Sequence, residues 1–419
     1  MKILIINHYA VPPVESGGTR HYSLGKELMK RGHKVKILAA NFSHQKRVPL
    51  VPGVHKSIHE NYYDELPFIW IKVPPYKRNS PARAINMLSF TKTLLVNKYF
   101  RDMDRPDIVI GSSPHPFAAW AAYRLALRWN VPFVFEVRDL WPQSLIDLGR
   151  ISPKHPGVRF LAKLEKLLCR NAVKIITLLP GARDYIQSLG IKSDKIVWVP
   201  NGIDVSLSLK EEHKTHTGLF TIMYAGNHGF GNGLENIVKC AEILNNAGHS
   251  RIIFRLIGDG PQKEYLRRIA AEKNLSNIRF EEPVPKKDIP TVLKQADAFI
   301  MLMKDSPVFK WGVSPNKLFD YLYAARPIIF AVNAYNNPVK EGKAGITVPP
   351  EDPQKLAEAV IRLYNMSYDE RMQMGLNGQK YVLENHDFTA LGAKLEKALL
   401  ESIAIYNENK KRLRNNSGY

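Results

Sequence analysis

Residues 313–322 read Val-Ser-Pro-Asn-Lys-Leu-Phe-Asp-Tyr-Leu, and Ala325-Arg326-Pro327-Ile328-Ile329 follows shortly after. A turn at Ser314, Pro315 and Asn316 precedes an amphipathic helix. The first N–H groups of a helix have no partner within it, so these donors, Lys317 and the Asp320 carboxylate one turn further on gather near one point. Backbone donors, a cation and a carboxylate together suit a diphosphate attached to a polyol.

Working outward, strands alternate with helical stretches. A strand is expected at 2–7, a loop with Pro12, Pro13, Gly17 and Gly18 at 8–19, a helix at 20–30 ended by Gly32, and a strand at 34–40. This βαβ opening lacks the G-x-G-x-x-G spacing, so it does not indicate a dinucleotide site. Further strands are expected at 107–111, 133–137, 174–178 and 196–199, the last running into Pro200-Asn201-Gly202. The polar run 210–218 (KEEHKTHTG) reads as a linker, after which the plan restarts. A strand at 220–225 leads to a loop, 226–233, with four glycines, then to a helix at 234–246 and a strand at 251–257 that ends in Gly258-Asp259-Gly260-Pro261. The pattern is that of a doubly wound α/β protein with two parallel sheets covered on both faces.

At 419 residues the chain is long for one core and suits two domains of about 200 residues each. Its 45% apolar and 24% charged residues describe an ordered globular protein. Cys169 and Cys240 lie far apart inside helical patterns, without the spacing of a zinc site or a redox pair, which fits a reducing cytoplasm. The opening MKILIINHYA is too short for a signal-peptide core, and the chain lacks the roughly 18 uncharged residues a membrane-spanning helix needs. A soluble or peripheral protein is expected.

The net charge of +21 calls for an anionic partner: nucleic acid, anionic lipid or a phosphorylated substrate. Within 150–174, Arg159, Lys163, Lys166 and Arg170 recur at helical spacing beside an apolar stripe of Phe160, Leu161, Leu164, Leu167 and Leu168. The leucines are expected in the core and the basic stripe on membrane headgroups. A second such segment, 76–105, mixes Lys77, Arg78, Arg83, Lys92, Lys98, Arg101 and Arg105 with apolar residues. Either segment could instead be a solvated face over an ordinary core. No helix-turn-helix, zinc-finger or RNA-recognition pattern supports nucleic acid as the partner.

The stretch 314–329 resembles the donor-binding signature of the GT-B retaining glycosyltransferases of family 4, the group 1 glycosyltransferases. Asp320 stands where that family has the second Glu of an E-x7-E motif, and the position of the first is Gly312. The resemblance extends through Gly17-Gly18, Arg31-Gly32-His33, Val199-Pro200-Asn201-Gly202 and residues 257–261. Glu136-Val137-Arg138-Asp139-Leu140-Trp141-Pro142 is similar to an element of transferases that assemble O-antigen and capsule, some of which move amino sugars such as L-fucosamine.

The resemblance implies two Rossmann-like domains facing across a cleft: 1–203 on the acceptor side and 204–387 for the nucleotide sugar. Residues 388–419 would form a helix that crosses back to the first domain and a basic tail that frays beyond about residue 407. It also implies a retaining, metal-independent transfer of an N-acetylated hexosamine or deoxyhexosamine from a UDP-sugar to a lipid-linked saccharide. The setting would be lipopolysaccharide or capsule biosynthesis, with the enzyme cytoplasmic and peripheral at the inner membrane face. No cofactor beyond the nucleotide sugar is implied.

Transferred position by position, Lys317, Asp320 and His115 become catalytic candidates. Gly17, Gly18, Arg20, Gly226, Asn227, Gly229, Gly258, Val284, Ser314, Pro315 and Asn316 become donor-binding candidates. The family's Arg and Lys are missing from 226–233, so Lys317 is the first candidate for the phosphate charge, with Lys310 and Arg255 as helpers. Glu136, Arg138 and Asp139 are acceptor-side candidates, or else an internal Arg–carboxylate network. Asp102-Met103-Asp104 has the D-x-D form of a metal site but precedes a strand, as a solvated turn would. A UDP-sugar 2-epimerase on the same architecture is the alternative activity.

Overall fold

The structure is a computed structural model and describes residues 1–15, 18–77, 81–149, 151–205 and 218–416. The chain forms two compact units, Met1–Pro200 with Phe388–Tyr419, and Asn201–Asp387. The sequence reading placed this change of unit at 203/204; all but the last residue of the expected linker, 210–218, lies outside the described residues, which stop at 205 and resume at 218.

The first unit holds β1 (Lys2–Ile6), β2 (Lys34–Ala40), β3 (Ile58–Tyr63), β4 (Leu66–Ile71), β5 (Ile108–Ser112), β6 (Phe133–Val137), β7 (Lys174–Thr177) and β8 (Ile196–Trp198). Their order is β3-β4-β2-β1-β5-β6-β7-β8, and every neighbouring pair is parallel except β3–β4. Strand order reverses on either side of β1, where Ile5 sits opposite Ile37 of β2 and Ile110 of β5. β3 and β4 are absent from the sequence reading. They form a hairpin whose two turn residues, Asp64 and Glu65, both take positive φ (46° and 66°). That turn usually carries Asn-Gly or Asp-Gly, so Asp-Glu gave no local signal.

The helix Phe388–Asn416 completes this unit. Phe388, Leu391, Leu395 and Leu399 join Leu24, Leu28, Phe68 and Trp70 in one core. Its Glu396 also accepts from Arg31 (3.3 Å) and pairs with His33 (2.6 Å). The helix runs to Asn416, past the residue near 407 where the sequence reading ended it, and Arg412 and Glu408 lie one turn apart in it at 2.6 Å.

The second unit is a six-stranded parallel sheet of β9 (Phe220–Ala225), β10 (Ile252–Ile257), β11 (Ile278–Glu281), β12 (Ala298–Leu302), β13 (Ile328–Ala331) and β14 (Gly345–Val348). The order is β11-β10-β9-β12-β13-β14. Successive β9 side chains serve opposite faces: Ile222 and Tyr224 join one buried cluster, Met223 and Ala225 the other. Order reverses at β9, so the loops leaving β9, β10 and β12 share the sheet edge where open α/β sheets bind ligands.

Candidate active site

The helix expected after Ser314-Pro315 is present as Asn316–Tyr323, with Pro315 at the N-cap position and no side chain capping it. Leu318, Phe319, Tyr321 and Leu322 are buried, so the sheet fixes the helix and leaves its first turn facing the loops. Lys317 lies half-buried there. Its Nζ donates to the Tyr224 hydroxyl at 2.7 Å and to Asn232 Oδ1 at 3.2 Å, and sits 4.5 Å from the Tyr224 ring centroid. Among the described residues no carboxylate pairs with it, and burial pulls its pKa down to about 8.

The loop after β9 lies directly on the loop after β10. Gly226 N–H donates to the Ile257 carbonyl at 2.9 Å and His228 N–H to the Asp259 carbonyl at 2.8 Å. Gly258 makes the approach possible: it takes φ 139°, and a Cβ there would stand 2.0 Å from the Gly226 carbonyl oxygen. Tyr224 Oη donates to the exposed Asn227's carbonyl at 2.7 Å, holding the loop ahead of Gly229 and the turn Phe230–Asn232. His228 is fully buried, with neither ring nitrogen hydrogen-bonded, and burial lowers its pKa to about 4. The sequence reading counted the glycines of this loop and passed over His228.

Asp320 faces a cation that the sequence reading also missed. Burial raises its pKa to about 6, and the nearby Lys286 pulls the other way. Lys286 is lowered in turn by burial, against the charges of Asp320 and Asp204. Val284, two residues before Lys286, packs half-buried against the core below. At Gly312, φ is 109° and ψ 175°, a conformation open essentially to glycine alone. A glutamate at this position could not keep that backbone, so the chain departs from E-x7-E in conformation as well as in residue type.

Ser314 is held from below. Its Oγ accepts from Asn201 N–H at 3.0 Å, and its carbonyl accepts from Asn201 Nδ2 at 2.7 Å. Asn201 therefore positions the turn in front of Lys317. Two expected helpers are engaged elsewhere. The Arg255 guanidinium grips both oxygens of Glu281 (2.6 and 2.7 Å) and reaches Gln295 at 2.8 Å. Exposed Lys310 lies 4.8 Å from the Trp311 ring centroid.

In the first unit, Glu136 is the centre of a buried network. Its carboxylate accepts from Arg20 Nε (2.9 Å) and Ser112 Oγ (2.5 Å) and pairs with His21 Nε2 (2.6 Å). Arg20 also donates to the carbonyls of Val199 (2.7 Å) and Pro200. His21, Arg20 and Arg138 hold the Glu136 carboxyl well below the usual range against its burial. The network is internal, as one reading above allowed, but its arginine is Arg20 rather than Arg138, and both Arg20 and Glu136 are buried in it. Arg138 keeps a buried Nε without a hydrogen-bond partner, and Asp139 is exposed.

His115, expected at a sugar hydroxyl, is 1% exposed and has both nitrogens occupied. Nδ1 accepts from Ala118 N–H at 3.0 Å, capping the helix Pro116–Trp129, and Nε2 donates to the Met87 carbonyl at 3.0 Å. Gly18 is half-buried just ahead of Arg20, and Gly17 lies outside the described residues. Asp102 and Asp104 are surface residues, 3.9 Å from Lys98 and 3.7 Å from Lys2.

Comparison with known proteins agrees with this fold. Residues 17–202 match the family profile "Glycosyl transferase 4-like domain", and residues 220–366 match "Glycosyl transferases group 1". A protein of Escherichia coli (strain K12), named for colanic acid biosynthesis glycosyl transfer (WcaI), is 22% identical over 80% of this chain and 84% of its own length. D-inositol 3-phosphate glycosyltransferase of Acidothermus cellulolyticus is also 22% identical, over 67% of this chain and 64% of its own. Among solved structures, sucrose-phosphate synthase from Thermosynechococcus elongatus superposes with a TM-score of 0.72 at 16% identity, covering 96% of this chain and 99% of its own. HepE of Anabaena, solved with UDP and glucose, gives 0.66 at 13% identity over 96% and 100%.

Proposed function

This chain belongs to the group 1 glycosyltransferases with the GT-B fold, and on that premise we propose that it moves a sugar from a UDP-sugar to a lipid-linked saccharide of a bacterial surface polysaccharide, with retention and without a metal. The observation that carries the donor half is Lys317, a cation drawn away from water, with no carboxylate partner among the described residues, at the start of an uncapped helix and against a glycine loop. A diphosphate supplies the missing negative charge and accepts the free N–H groups.

As the sugar–oxygen bond breaks, charge grows on the β-phosphate, and Lys317 with the Asn316–Tyr323 helix N-terminus stabilises it there. The same phosphate oxygens take the proton of the incoming hydroxyl, so no protein nucleophile is required. UDP as the nucleotide is supported by the UDP-bound structural neighbour. An N-acetylated hexosamine or deoxyhexosamine is supported by the Glu136–Pro142 element's similarity to polysaccharide-assembling transferases.

A membrane-bound acceptor is supported by the surface of the first unit. Helices Pro81–Val96, Pro116–Trp129 and Pro156–Asn171 pack side by side and contain one carboxylate, Glu165, which is buried against Tyr185. Their outer faces interleave Ile85, Leu88, Leu127, Phe160 and Leu167, all 40% or more exposed, with exposed Lys92, Arg124, Arg128, Arg159, Lys163 and Arg170. Exposed Leu167 departs from the expectation that the leucines are core; Leu168 beside it is buried. A groove of about 580 Å³ lined by Leu95, Trp120, Arg124, Leu127 and Arg128 opens on this face. Among the described residues no helix is long and apolar enough to cross a membrane, so a basic-apolar face supports peripheral docking.

The test is nucleotide release from a panel of UDP-, GDP- and ADP-sugars, with EDTA and with or without bacterial lipid extract. Release of UDP that survives EDTA and rises with the extract supports the proposal. Conversion of a UDP-sugar to its C2 epimer without UDP release would replace it with the epimerase.

A further inference from the structure

The C-terminal ends of β1, β2 and β4, three neighbouring strands of the first unit, bring together Tyr9, His44, Arg47 and Tyr76, and the helix that follows β4 adds Arg83. Arg47 lies 5.0 Å from the Tyr76 ring centroid, and its buried Nη1 has no hydrogen-bond partner. The Arg83 guanidinium donates to the Tyr9 hydroxyl at 3.3 Å. His44 Nδ1 and the Tyr76 hydroxyl are 2.5 Å apart.

The chemistry of this cluster is one-sided. The arginines carry only donors, and Tyr9, accepting from Arg83, keeps its own proton to donate. Whichever of His44 Nδ1 and the Tyr76 hydroxyl donates across this contact, the pair keeps one more donor, the imidazole Nε2–H if Tyr76 donates or the Tyr76 O–H if His44 does. The charged groups that bear on the His44 and Tyr76 rings are Arg83 and Arg47, both positive. The acid in the preceding loop, Glu15, is paired with Lys46 at 2.7 Å. Converging donors and two cations at the C-terminal edge of a parallel sheet make a receptor for a multivalent oxyanion.

We propose that Arg47, Arg83, His44 and Tyr9 form a second anion site, separate from the Lys317 loop, that binds the phosphate or diphosphate of the acceptor substrate. The reading of the site as an acceptor subsite rests on the transferase assignment; the existence of the anion site does not. It implies an acceptor delivered as a phosphate ester, so the reaction that supplies it leaves a phosphate on the saccharide's reducing end.

The test is calorimetric titration of inorganic pyrophosphate and of geranyl diphosphate into the full-length protein at fixed ionic strength. Wild type, Arg47→Ala, Lys317→Ala and the double variants Arg47→Ala/Lys317→Ala and Arg47→Lys/Lys317→Ala are compared, each checked for folding by circular dichroism. With the competing diphosphate site removed by Lys317→Ala, pyrophosphate should still bind, weaken by about tenfold or more in the double variant Arg47→Ala/Lys317→Ala, and recover in part in Arg47→Lys/Lys317→Ala. Geranyl diphosphate should bind at least as tightly as pyrophosphate. Binding lost in Lys317→Ala and kept in Arg47→Ala would assign the anion to the nucleotide loop and overturn the proposal. Binding of pyrophosphate with exclusion of geranyl diphosphate would make this a site for free phosphate and overturn the acceptor assignment. UDP titrated in parallel separates the two readings: absent UDP binding with an Arg47-dependent pyrophosphate isotherm would leave the anion site standing while the donor reading fell.

Discussion

Lys317 gives the donor reading a pH dependence with a definite sign. Burial brings its pKa down to about 8, and a bound diphosphate favours the charged form. UDP affinity is therefore expected to be flat below about pH 7.5 and to weaken by about tenfold per pH unit once the ammonium of the free protein titrates. Titrations of UDP between pH 6.5 and 9.5 check this, and a flat profile would remove Lys317 from the site. The pKa of Asp320 is shifted in the other direction. Its folded pKa, raised to about 6 by burial, exceeds the ordinary 3.8. The folded state therefore holds the proton more tightly, and stability falls as pH rises from about 4 to about 6. Asp320→Asn should erase that slope in urea melts and stabilise the protein at pH 7 by roughly 1–2 kcal/mol, provided Lys286 finds water instead. Lys317 and Asp320 were legible because one helical turn carries both. Lys286 and His228 were not, since their places depend on loops brought together only by the fold. His115 was misread for a reason the sequence does contain: His-Pro at a helix start is a capping arrangement, and His155-Pro156 repeats it with Nδ1 accepting from Gly157 N–H at 3.1 Å.

Among elements, β1, β2 and β5–β10 were readable because burial on two faces favours apolar runs, as at residues 3–6 and 108–110, whereas β11–β14 were not marked in the sequence reading. The β3–β4 hairpin escaped because Ile58–Tyr63 is a half-buried polar strand and its turn has no glycine or asparagine. The Glu136 network ties β6 to the helix Arg20–Lys30 and to the chain after β8, so its loss should be felt by the whole first unit. Glu136→Ala leaves Arg20 buried without its counter-charge, and a loss of about 3–5 kcal/mol is expected in chemical denaturation. A change below about 1 kcal/mol would mean that the network does not hold these elements. In the second unit, Gly258→Ala drives a methyl group into the Gly226 carbonyl and should separate the two loops. UDP binding should fall with it, while the far-UV circular dichroism of the sheet is retained.

For the whole molecule, the proposed function assigns the charge of +21 to two separate demands, phosphate groups and a basic-apolar surface on the three helices of the first unit. Anionic vesicles should cosediment with the protein at low salt, release it as ionic strength rises, and bind Phe160→Ser/Leu167→Ser less without any change in UDP affinity. Equal binding to neutral vesicles would contradict an electrostatic contribution. Charge alone left nucleic acid and lipid both open in the sequence. It is the placement of exposed Phe160, Ile85 and Leu88 among lysines and arginines that favours lipid. The central claim, that the Lys317 loop is the diphosphate site of a nucleotide-sugar enzyme, is tested most directly by titrating UDP into wild type and Lys317→Ala at pH 7. The account predicts micromolar-range binding to the wild type, weakened by about a hundredfold in a variant that stays folded. Equal affinity in the two proteins would contradict it.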